Sequence, residues 1–322
     1  MIRIGTRGSK LALKQAALVQ EALSYADERI VTELVILHTR GDRIQDRPIS
    51  AIGDKGIFAS ELEQALLKGQ IDLAVHSAKD LPVKLADGLT IAAVLPRGDV
   101  RDVLVVPRGG RTPFARQDTD DGCGMGSSPY RIGSGSRRRQ MLAGKVWEHV
   151  VCGEIRGNVD TRLRKLKEGS YDGLLLAKAG LDRLGIDAGQ EKEFDFYPLS
   201  PEVFLPAACQ GIIAVEALEG SEAAEICTKM SDAETELCYL VEREVLAQLS
   251  ADCSEAAAAW CRQAQDEQSL ETVRITGQLI LDAMYADNRV RLTCPASAEE
   301  GRKLARKAAR MVKEQKKENV GI

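Results

Sequence analysis

No run in this 322-residue chain is long and apolar enough to cross a bilayer as a helix, which excludes a helical membrane protein. A basic excess is missing too. The 44 Lys and Arg against 48 Asp and Glu give a net charge of −4. A general nucleic-acid binder needs a cationic surplus for phosphate contacts, so no nucleic-acid partner is expected and any anion site must be local. Histidine is scarce, with three copies, and none forms a metal set with other ligands at recognised spacing. The eight cysteines lack the paired spacing of a zinc site, in a chain too large to need disulfide staples, and most are expected to be buried free thiols. No signal-like apolar segment follows Met1, where Met1-Ile-Arg-Ile-Gly enters a strand pattern at once, so a cytoplasmic protein is expected. No long exposed apolar stripe suggests an obligate dimer, and the expectation is a monomer. Residues 110–131 hold a glycine-rich stretch around Cys123 without the spacing of a phosphate loop or dinucleotide fingerprint, and read as a surface loop with Cys123 exposed.

What is present is a strand and helix alternation in a chain 44% hydrophobic, enough for a sizeable core and two or three domains. Ile2 to Thr6 reads as a strand, Lys10 to Tyr25 as a helix, Glu33 to His38 as a strand, Phe58 to Lys68 as a helix and Leu73 to His76 as a buried strand. A second unit follows the Pro96 to Asp102 crossover. It has strands at Asp102 to Val106, into Gly133 and at Gly173 to Ala177, and helices at Arg137 to Ala143 and Asp160 to Lys167. A third unit from about Gly220 pairs a helix at Glu234 to Leu249 with strands at Val273 to Ile280 and Val290 to Thr293, and closes with a basic helix from Ala298. This is the grammar of α/β domains with largely parallel sheets. The closing Lys313-Glu-Gln-Lys-Lys-Glu reads as a solvated helix end.

Chemistry concentrates at predicted strand ends. In Asp72-Leu-Ala-Val-His-Ser-Ala-Lys-Asp-Leu-Pro82 an apolar run ends in a turn carrying Ser77, Lys79 and Asp80, stopped by Pro82. Asp80 can be held ionised by its lysine neighbour or made a proton donor by burial. The segment also reads as an ordinary solvated Lys/Asp turn. His76 is expected to support this turn rather than move protons, and His38 to be structural. Arg137, Arg138 and Arg139 fan over roughly 200° of a helix, so all three cannot face one ligand. Arg156 and Arg162 flank Gly157-Asn158, a turn before a helix whose amides favour anions. Arginine forks suit carboxylates, although each arginine read alone is equally a surface side chain in a salt bridge.

Further phrases share this character: Arg3-Ile-Gly-Thr-Arg-Gly-Ser-Lys-Leu-Ala-Leu13, Thr39-Arg-Gly-Asp42, Asp54-Lys-Gly-Ile-Phe58, Ile132-Gly-Ser-Gly-Ser-Arg-Arg-Arg-Gln140 and Ile155-Arg-Gly-Asn-Val-Asp-Thr-Arg162. With the segment around Asp80 they resemble the hydroxymethylbilane synthase, or porphobilinogen deaminase, family from about residue 3 to about residue 250. The resemblance implies an α/β fold of two doubly wound, periplasmic-binding-protein-like domains around a cleft, plus a smaller C-terminal α+β domain. Domain 1 would be residues 1–98 with 204–219, domain 2 residues 99–203, and domain 3, which attaches the cofactor, residues 220–322. The implied reaction belongs to tetrapyrrole biosynthesis. Four molecules of porphobilinogen, the small-molecule partner, are condensed with loss of ammonia onto a covalent dipyrromethane primer, and water releases hydroxymethylbilane.

Carried over residue by residue, the family's catalytic positions fall on Asp80 and Lys79. Its carboxylate-binding positions fall on Arg7, Ser9, Lys55, Ser136, Arg138, Arg139, Arg156, Arg162 and Arg183. Asp80 would stabilise the cation left when ammonia departs. The family attaches dipyrromethane through a thioether in a Gly-Gly-Cys-x-x-Pro-x-Gly-Ala loop. Here the segment reads Leu249-Ser-Ala-Asp-Cys-Ser-Glu-Ala-Ala-Ala-Ala-Trp260, so Cys253 is the expected attachment residue, with Cys261 second. The loss of two glycines and a proline alters that turn, and Cys253 also reads as a free thiol in a loop without cofactor. Ala207-Ala-Cys-Gln-Gly211 places Cys209 where the family has glycine. The alternative function is a non-catalytic or weakly active relative that binds a small carboxylate ligand, and Asp80 and Cys253 separate the two.

Overall fold

The computed structural model describes residues 1–37, 60–114, 128–186, 189, 191–251, 255–266 and 274–319. Of the sequence expectations, those on His38, Thr39 to Asp42, Asp54 to Phe58 with Lys55, Cys123 and Cys253 lie outside the described residues. The chain divides into two compact units, Met1–Asp99 with Leu205–Ile322, and Val100–Phe204.

The first unit opens with β1 (Ile2–Arg7), α1 (Lys10–Ala26), β2 (Thr32–Leu37), α2 (Ser60–Leu67), β3 (Leu73–Ser77) and β4 (Leu89–Val94). The second holds β5 (Asp102–Pro107), β6 (Tyr130–Gly133), α3 (Arg137–Val146), β7 (Val150–Gly153), α4 (Val159–Lys167), β8 (Gly173–Ala177), α5 (Lys178–Arg183) and β9 (Phe194–Pro198). The chain then returns to the first unit as β10 (Ile213–Leu218), α6 (Glu222–Thr228), α7 (Ala233–Leu249), β11 (Ala257–Asp266), β12 (Arg274–Tyr285), β13 (Asn288–Pro295) and α8 (Ala298–Asn319).

Two five-stranded sheets share one plan, in the orders β2-β1-β3-β10-β4 and β7-β6-β8-β5-β9. In each, three strands are parallel and the fourth is antiparallel to both neighbours. The expected largely parallel sheets are therefore mixed. An antiparallel strand needs no crossover helix over its own sheet, so a segment arriving from the other unit can insert that way. With the three-stranded antiparallel β11-β12-β13 sheet, this is the α/β architecture expected, two sheet-rich domains and a smaller C-terminal one.

The ends of the two large sheets opposite the candidate site are built by the same bracket. Asp72, just before β3, exchanges main-chain contact with Arg3 of β1: its carboxylate accepts the Arg3 amide at 2.7 Å, and its own amide donates to the Arg3 carbonyl at 2.8 Å. Asp172, just before β8, does the same with Arg131 of β6, at 2.7 and 2.8 Å. Each arginine also donates to a glycine carbonyl in the preceding turn, Gly69 at 2.8 Å and Gly169 at 2.9 Å. These contacts set the register of two parallel pairs, β1 with β3 and β6 with β8.

Helices cover the sheets through apolar stripes. In α1 the buried positions are Ala12, Gln15, Ala16, Val19 and Leu23, a spacing of three and four that follows the helical repeat. Ser9 caps the helix by accepting the Ala12 amide at 3.2 Å, a contact worth about 1 kcal/mol. In the C-terminal sheet, Leu279, Leu281 and Ala283 pack with Val241, Val245 and Leu249 of α7 and Leu304, Ala305, Ala308 and Val312 of α8. The neighbouring positions of β12 and β13 hold Asp282 under Arg262, Arg289 and Arg291, at 2.8, 3.2 and 2.9 Å. Among the described residues no helix is long and apolar enough to cross a membrane.

Candidate active site

In the first unit the expected site residues sit at the ends of β1 and β3. Arg7 closes β1 and Ser9 begins α1, both half-buried. Strand β3 ends at Ser77, whose hydroxyl accepts from the amide of buried Gln15 at 2.8 Å. The next three residues, Ala78–Asp80, form a single 3-10 turn that leaves Lys79 half-buried and Asp80 exposed. Among the described residues nothing pairs with the Asp80 carboxylate, so this group is presented rather than consumed by the fold.

The turn is anchored from beneath and behind. The Ala78 amide donates to the Ile212 carbonyl at 3.0 Å. One residue before Ser77, His76 Nε2 lies 2.9 Å from Glu216 Oε2 on β10, and the Glu216 side chain is fully buried. The other Glu216 oxygen has no hydrogen-bond partner among the described residues. Glu63 of α2 is close enough to Glu216 to respond to its charge, and its carboxyl is pushed up, chiefly by burial. His76 thus ties β3 to its antiparallel neighbour β10.

Behind the turn lies α7. Glu242, fully buried, accepts from Arg97 Nη1 at 2.6 Å and Nη2 at 3.1 Å, from the Cys261 amide at 2.7 Å, and from the Cys209 amide. That saturates a carboxylate that would otherwise be costly to bury. It also holds the Ala207–Gly211 turn, where Cys209 has φ 59° and Gly211 φ 89°. A Cβ on Gly211 would lie 2.5 Å from the Gly98 carbonyl oxygen, so glycine is required there.

In the second unit the expected cations surround the ends of β6, β7 and β8. Ser136 precedes α3 without capping it by its side chain, and its amide donates to Ser134 Oγ at 3.3 Å. Arg137 is exposed, whereas Arg138 and Arg139 are buried against Asp102, the first residue of β5. Arg138 Nη1 lies 2.7 Å from one Asp102 oxygen, and Arg139 donates to the other through Nε at 2.9 Å and Nη2 at 2.8 Å. Burial pushes the Arg138 guanidinium down against the opposing pull of Asp102. Two guanidiniums therefore share the Asp102 carboxylate.

Gly157, at φ 109°, makes the turn between Arg156 and the Asn158 start of α4, where a Cβ would meet Thr161 Cγ2 at 2.8 Å. Arg162 Nε donates to the Gly157 carbonyl at 2.8 Å, so Arg156 and Arg162 stand at one helix N-terminus. Arg183 ends α5 and is half-buried, its guanidinium pushed down by burial.

The C-terminal sheet carries the attachment region. Helix α7 ends at Ser250 with φ 53°, Ala251 is fully buried, and β11 begins at Ala257. Lys55 and Cys253 belong to the residues not described. Cys261 is 1% exposed, and its thiol is pushed far up, first by a hydrogen bond with Cys238 and then by burial, which leaves it a poor nucleophile. Among the described cysteines Cys209, Cys227, Cys238 and Cys261 are buried and free, as expected, and Cys152 and Cys294 are half-buried. Sequence reasoning missed the roles of Asp102, Glu216, Arg97, Glu242 and Arg243. Each acts on a partner far along the chain, and no local pattern signals that.

Comparisons with known proteins place the chain in a family. A family model described as porphobilinogen deaminase, dipyromethane cofactor binding domain, matches residues 2–226. The porphobilinogen deaminase of Roseiflexus sp. (strain RS-1) is 43% identical over 251 residues, which cover 78% of each chain. That of Lachnospira eligens is 41% identical over 262 residues, 80% of this chain and 83% of the relative. Among solved structures, the VFT2 domain of Bordetella pertussis BvgS is 14% identical with a TM-score of 0.42, covering 74% of this chain and 91% of that one. With its strand-end arginines, its Ser77–Asp80 turn and its matches over most of its length, the chain belongs to the porphobilinogen deaminase family.

Proposed function

We propose that Asp80, Lys79 and the strand-end cations carry the family's reaction in this chain, the deaminative condensation of four porphobilinogen molecules on a dipyrromethane primer followed by hydrolytic release of hydroxymethylbilane. The observation that supports this most is the exposed Asp80 carboxylate on a turn held by buried contacts. Loss of ammonia from the aminomethyl group of porphobilinogen leaves a delocalised cation on the substrate. A carboxylate fixed in advance beside the pyrrole N–H stabilises that charge without reorganising, commonly the largest catalytic term. Lys79, next to Asp80 in the same turn, offers a charge to the substrate's acidic side chains.

The donor set fits a carboxylate-bearing dipyrrole. Arg156 and Arg162 stand at one helix N-terminus, and Arg138 and Arg139 sit together at the Asp102 end of β5. Arg7, Ser9, Lys55, Ser136 and Arg183 complete the proposed carboxylate contacts. Cys253 would hold the primer, which when bound would supply a pyrrole α-carbon as nucleophile. The chain's own groups neutralise carboxylates, orient the rings and stabilise the substrate cation. The protein acts on a small molecule, as a cytoplasmic monomer without a nucleic-acid or membrane partner, in keeping with its net charge of −4.

The test is the intact mass of the purified protein beside a Cys253→Ser variant. The expected result is an adduct of two linked pyrrole units in the parent and none in the variant. A parent that stays unmodified after incubation with porphobilinogen overturns the reading.

A further inference from the structure

The turn that presents Lys79 and Asp80 runs on into Leu81, Pro82 and Val83, and three successive carbonyls there face one side chain. Arg243, half-buried on α7, donates Nη1 to the Leu81 carbonyl at 3.2 Å, and Nη2 to the Pro82 carbonyl and to the Val83 carbonyl at 2.8 Å. Its guanidinium also lies over Tyr239, one helical turn earlier, at 5.9 Å. The main chain by itself holds this stretch weakly. Pro82 has no N–H to donate, and the Leu81 amide makes a long 3.3 Å contact back to Ala78.

Helix α7 is also the element that delivers the chain to the attachment region. It ends at Leu249, four residues before Cys253. The residue before Arg243 is Glu242, whose saturated carboxylate fixes the helix on Arg97 and on the Ala207–Gly211 turn. Two adjacent residues thus hold α7 against different parts of the first unit, one at the core and one at the edge of the catalytic turn.

We propose that Arg243 is a positioning residue that locks the Lys79–Asp80 turn to the helix leading into the primer-attachment loop, and so sets the placement of the carboxylate against the growing pyrrole chain. This rests on the reading of Asp80 and Cys253 given above. It explains why a planar, five-donor side chain is used where one positive charge would satisfy the helix surface. A cation that only balanced charge could be lysine, whereas a fork that spans three carbonyls fixes direction as well as distance.

The experiment uses Arg243→Met and Arg243→Lys in the full-length, primer-loaded enzyme. It reads hydrogen exchange in the peptide spanning residues 78–84, kcat and KM for porphobilinogen, and the thermal midpoint. Arg243→Met is expected to raise exchange in that peptide and to lower kcat about tenfold or more, since a small misplacement of a reacting group is costly. KM should stay within about threefold and the primer mass should be unchanged. Arg243→Lys, which keeps a donor but not the fork, should recover part of the kcat loss and part of the protection. Unchanged exchange in Arg243→Met, or a kcat within about twofold of the parent, overturns the proposal. So does a kcat loss that only follows the thermal midpoint in both variants. If exchange rises while Asp80→Asn keeps full activity, the clamp stands and the catalytic reading fails, which separates the two.

Discussion

The two five-stranded sheets are the same object at one end and different objects at the other. At the shared end Arg3 and Arg131 make matching contacts with Asp72 and Asp172, and both carbonyl-bearing turns are gripped alike. At the opposite end the β3 turn exposes the Asp80 carboxylate, while the β5 carboxylate of Asp102 is fully buried under Arg138 and Arg139. The helix starts diverge as well. Ser9 caps α1 with its hydroxyl, and Ser136 leaves the side-chain cap of α3 unmade. A common scaffold fixes where strand ends lie, and the side chains placed there differ, an exposed carboxylate at one end and a buried arginine–carboxylate cluster at the other.

The comparison is broken hardest at Asp102. Asp102→Ala leaves two buried guanidiniums facing each other without their carboxylate, so a loss of about 3–5 kcal/mol is expected in denaturant unfolding of the purified protein. Asp80→Asn is the opposite case, an exposed group whose loss should leave stability within about 0.5 kcal/mol. Its turnover should fall on the order of 10² or more. A loss below about tenfold with an intact fold would remove Asp80 from the mechanism.

A subtler contrast lies in the serines. Ser9→Ala should cost about 1 kcal/mol of stability through its lost cap. Ser136→Ala should leave stability within about 0.5 kcal/mol but raise KM for porphobilinogen roughly tenfold if its hydroxyl binds a carboxylate. Equal effects on unfolding would erase the distinction. The smallest effect belongs to the shared bracket. Hydrogen bonds from Arg3 hold the Asp72 carboxyl below its usual range. Its contribution is therefore present above the unfolded-state value of about 4 and is lost as pH falls through the lower folded-state value. The pair is partly exposed, so Asp72→Asn should flatten the acid limb of the stability curve by less than about 1 kcal/mol.

Much of this was readable along the chain. The alternation at Lys10 to Tyr25 marked α1, and the apolar run before Ser77 marked β3, because period and burial are local consequences of which residues face a core. Strands β4, β7, β9, β10 and β11 were not read. Each is short or pairs only across long separations, and Ala257 to Ala259 carry little propensity for a strand. The arginine cluster was read in kind but not in detail. That three adjacent arginines cannot face one ligand follows from helix geometry, yet which two turn inward depended on Asp102, 36 residues away.

By itself the sequence determined the α/β pattern and the family, because these rest on residue types at short spacing. Only the tertiary structure decided that Glu216 stands behind His76 across 140 residues, and that Arg243 grips carbonyls some 160 residues before it. Such partners meet because sheet order brings distant segments together. Burying a charge then demands a partner wherever the fold can supply one.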